Sequence, residues 1–92
     1  MNPSEYFSLN KNQKLETISS RLLFQDTSDI DLVNILSNEP DRTIVLKMKE
    51  VLSYDENIQK KISCLPLIEK LFDGSLSRDR KYDFLSIVIY RK

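Results

Sequence analysis

The chain has 92 residues, room for one hydrophobic core rather than two. Fourteen basic residues balance fourteen acidic ones and 40 % of the residues are hydrophobic, a globular composition that excludes disorder. Cys64 is the single cysteine, Gly74 the single glycine, and His and Trp are absent; this excludes triad-type nucleophilic catalysis, a glycine-rich phosphate loop, an intramolecular disulfide and a cysteine–histidine metal site within one chain.

The expectation is therefore a non-enzyme without cofactor or metal. No run approaches the roughly 20 consecutive apolar residues of a membrane span, and the start, MNPSEYFSLNKNQK, lacks the basic-then-apolar layout of a secretory signal. With one unpaired cysteine, this points to a reducing, cytoplasmic setting and no membrane partner. Ala is also absent, which is unusual for a helical chain and fits an AT-rich coding sequence, as in phages, viruses and mobile elements.

The periodicity is helical nearly throughout. Asn2 caps a short first helix over 3–9, with Pro3 at its first position, offering Tyr6, Phe7 and Leu9. Asn10 caps a second, with Gln13 as reciprocal partner and an apolar stripe of Leu15, Ile18, Leu22 and Leu23 that ends at Phe24. After the turn at 25–28, Ser28 and Asp31 open a third helix running to about Ser37, which should bury Ile30, Val33 and Leu36.

Asn38-Glu39-Pro40-Asp41 breaks and restarts the chain, placing Pro40 near the first position of a fourth helix over about 40–52. That helix carries Ile44, Val45, Met48, Val51 and Leu52. Ser53-x-x-Glu56 reads as a capping box for a fifth helix with Ile58, Ile62 and Leu65. Pro66 should force Leu65 out of helical geometry or kink the chain. A sixth segment, 67–72, stops at Gly74, and Ser77 caps the last segment. There Ile87-Val88-Ile89-Tyr90 is rich in β-formers, but the chain holds no other strand-like run to pair with. Helix is the expectation for 82–90.

The predicted fold is thus all-α, a compact single domain over 1–92 of five or six short helices. Cys64, in the run Ile62-Ser63-Cys64-Leu65, is expected to be a buried, inert side chain. Asp26, Asp29 and Asp31 resemble a calcium loop only superficially, since the turn glycine and twelfth-position Glu are missing; helix capping accounts for them.

Charge is uneven along the chain. Residues 1–46 hold four basic and seven acidic side chains, a balance of −3, and residues 47–92 hold ten and seven, a balance of +3. Complementary docking onto a charged partner or a second copy would use that asymmetry. The functional expectation is a small accessory or regulatory protein that binds another protein, or itself as a homodimer, through apolar residues of its terminal segments. The contact residues are Phe84, Val88 and Tyr90, opposite a core face of Tyr82, Leu85 and Ile89, then Tyr6 and Phe7. A second reading makes it a helix-turn-helix-like DNA-binding regulator using Arg78, Arg80 and Lys81, reinforced by Arg91 and Lys92. Zero net charge and the neighbouring Asp79 and Asp83 weaken it. An acid–base enzyme using buried carboxylates is third, with no carboxylate pair at diagnostic spacing.

Overall fold

Short polar side chains set most of the helix starts. Asn2 accepts the Glu5 N–H at 2.8 Å before helix α1 (Pro3–Phe7). Asn10 and Gln13 exchange side-chain and backbone hydrogen bonds at 2.9 and 3.0 Å before α2 (Lys11–Ser19). Ser28 accepts from Asp31 at the head of α4 (Asp29–Asn38), and Ser77 from Arg80 at the head of α8 (Arg78–Tyr90). These four caps follow the sequence expectation, because each satisfies otherwise unpaired N–H groups a few residues away. Between them lie α3 (Leu22–Gln25), α5 (Arg42–Tyr54), α6 (Glu56–Lys61) and α7 (Leu65–Phe72). The computed structural model describes residues 1–90; among these there is no strand, and 82–90 is helical as expected.

Several boundaries differ from the sequence reading, each for a local reason. The predicted second helix breaks at Arg21, whose backbone is left-handed at φ 68°. Its guanidinium donates to the Ile18 and Ser19 carbonyls, both at 3.1 Å, and its Nε to Asp55 at 2.8 Å. Capping of α2's last carbonyls and the ion pair offset the strain of that backbone, about 1–2 kcal/mol. The break turns Leu23 and Phe24 into the core and leaves Leu22 exposed.

The Ser53-x-x-Glu56 box does not form. Ser53 is buried inside α5, which runs to Tyr54, and Asp55 caps α6 instead by accepting the Ile58 N–H at 3.1 Å. Pro40 precedes the cap of α5 rather than opening the helix. It holds Glu39 extended (ψ 117°), and Asp41 becomes the cap. Pro66 neither kinks nor ends a helix but sits in the first turn of α7, where a missing N–H costs nothing; Leu65, the first residue of that helix, is exposed. Gly74 adopts the expected left-handed stop at φ 77°. Ile30 lies outside the buried face of α4, which is Leu32, Val33, Ile35 and Leu36.

Helix α5 is the centre of the packing. It buries Ile44, Val45, Met48, Val51 and Leu52 and packs on α2, α6 and α8, while α7 bridges α4 and α8 and α1 lies on α4. The buried apolar side chains form one cluster. The radius of gyration, 12.0 Å, equals the value of about 12 Å for a compact chain of this length.

Two carboxylates are buried with the core. Glu39, with no exposed side-chain surface, accepts from the Tyr6 hydroxyl at 2.9 Å, the Lys14 ammonium at 3.0 Å and the Asp41 N–H at 3.4 Å. Lys14 also lies 5.0 Å from the Tyr6 ring centre. Asp83, 1 % exposed, is bonded by Arg42 and has Lys49 at 3.6 Å and Arg80 at 3.9 Å. The Arg80 guanidinium also donates to the Leu36 and Glu39 carbonyls, closing the C-terminal end of α4.

Tyr6→Phe removes a buried hydrogen bond to a charged group, and should lower unfolding free energy by about 2 kcal/mol, read as a lower urea midpoint. Burial and the Glu39 hydrogen bond push the Tyr6 phenol well above the ordinary tyrosine range. The folded state thus holds the proton more tightly than the unfolded chain. Stability from this group is full below about pH 10 and lost progressively as pH rises toward the folded-state value. Alkaline unfolding followed by circular dichroism should be shallower in Tyr6→Phe; an unchanged alkaline limb contradicts the assignment.

Candidate functional site

From Tyr82 onward α8 carries large apolar residues on more than one face, so its orientation is decided by what packs on it. Its inner face carries Phe84 and Ile87, both fully buried, together with Asp83 and its cations. The Tyr82–Leu85–Ile89 face, expected to be core, points away from it. Tyr82 is 57 %, Leu85 42 % and Ile89 71 % exposed. The physical reason is the buried ion cluster: Arg42, Lys49 and Arg80 all reach Asp83, which requires that side of the helix to face inward.

This reverses part of the predicted contact set. Phe84 and Tyr6 are core residues with no surface to offer, and Val88 is half-buried against the core. Tyr90 is exposed. Phe7 is partly exposed, packed edge-on to Tyr6 at 4.9 Å with the Lys14 ammonium 5.2 Å from its ring. Of the basic trio, Arg80 is committed to the α4 carbonyls, whereas Arg78 and Lys81 are exposed and make no ion pair among the described residues.

At Tyr90 the exposed surface of α8 meets that of α5. Leu46 and Tyr54 are exposed there, and the Tyr54 ring lies 6.0 Å from that of Tyr90, tilted by 35°. A shallow groove of about 320 Å³ runs between the two helices over Leu46, Ser53, Tyr54, Ser86 and Tyr90. It meets a second depression of about 540 Å³, lined by Tyr54, Glu56, Gln59, Lys60 and Tyr90. The sequence reading takes this helix by its core residues, Ile44, Val45, Met48, Val51 and Leu52. It missed Tyr54, because that residue fell inside the expected capping box. An uninterrupted helical phase through Met48, Val51 and Leu52 would have placed Tyr54 on the outside.

Other candidates are placed as follows. Asp29 accepts the Ser63 N–H at 3.2 Å, and both Asp29 and Asp31 sit in the first turn of α4. The described residues contain no group of three or more side chains placed to hold a metal ion. Cys64 is partly rather than fully buried, since it stands in the loop that opens α7. Glu39 and Asp83 are at most 1 % exposed; Lys14 pairs with the first, and Arg42, Lys49 and Arg80 reach the second. Among the described residues, no helix is long and apolar enough to cross a membrane.

The two faces of α8 should respond oppositely to substitution. Phe84→Ala is expected to cost about 3–5 kcal/mol by emptying a core position. Leu85→Asp should stay within about 0.5 kcal/mol of the unsubstituted protein. Comparable losses in urea unfolding would put Leu85 in the core and undo the site. No protein-family model, no curated protein and no solved structure matches this chain.

Proposed function

We propose that this chain is a small, non-catalytic docking module, an accessory or regulatory factor of the cytoplasm that works by binding another protein. The observation that carries this reading is the outward side of α8, where Tyr82, Leu85 and Ile89 are exposed on one 13-residue helix, with exposed Tyr90 beside Tyr54 of α5. Large apolar side chains gathered on one face, with tyrosines among them, are the usual makings of an interface centre. Polar and charged residues rim it: Arg78 and Asp79 at one end, Glu56 and Lys60 at the other. Burial of the apolar face would supply affinity, and the rim would set orientation and encounter rate. The DNA-binding alternative is less well supported, since Arg80 is occupied inside the fold and only Arg78 and Lys81 of its three contacts are open.

A photo-crosslinking residue in place of Tyr82, expressed in the native cells, tests the reading. Discrete protein adducts are expected at that position but not with the same probe at exposed Glu16, and Leu85→Asp should abolish them. Equal adduct patterns at both positions, or none at Tyr82, would remove α8 as the docking face.

A further inference from the structure

We draw no further inference here: the strongest candidate, the shallow groove between α5 and α8 beside the exposed apolar side of α8, is lined by as many carboxylates (Glu50, Glu56) as cations (Lys49, Lys60), and nothing in the structure shows what covers it.

Discussion

The carboxylate of Glu39 holds the architecture together. It is buried at the junction of α4 and α5 and bonded by Tyr6 of α1 and Lys14 of α2, with the Asp41 N–H at the start of α5 also within reach. Its own backbone carbonyl receives Arg80 of α8. Five of the helices thus meet at one residue. A charge withdrawn from water is tolerated only when its partners are in place, and removing one costs about 3–5 kcal/mol. The arrangement specifies where α1 and α2 must lie, which the short apolar stripe of α1, a single buried Tyr6, does not do by itself.

Arg80 carries that constraint across to the candidate site. Its guanidinium is bound to the end of α4 and its neighbour in the helix, Asp83, gathers Arg42 and Lys49 from α5. Together they lock the rotation of α8 about its own axis. With Phe84 and Ile87 turned inward, Tyr82, Leu85 and Ile89 have nowhere to go but outward. The exposed apolar face is thus a consequence of a polar network, since the core already holds its complement of large side chains without it.

What the sequence by itself determined is the local grammar. Asn2, Asn10, Ser28 and Ser77 are caps, Gly74 is a left-handed stop, and Ile44, Val45, Met48, Val51 and Leu52 make α5 a core helix. Each depends on residues within a turn or two, so spacing suffices to read it. Of the expected contact residues, Tyr90 and Phe7 keep exposed surface, whereas Phe84 and Tyr6 are buried in the core. A helix with large apolar residues on more than one face has no intrinsic inside, and its phase is settled by distant partners, here Arg42 and Lys49, 41 and 34 positions before Asp83 in the chain. Arg21, at the break after α2, and Asp55, the cap of α6, are joined by an ion pair at 2.8 Å. Tertiary structure decided these features because long-range ion pairs outweigh the small propensity differences among neighbouring polar residues, and spacing along the chain does not encode which charges will meet.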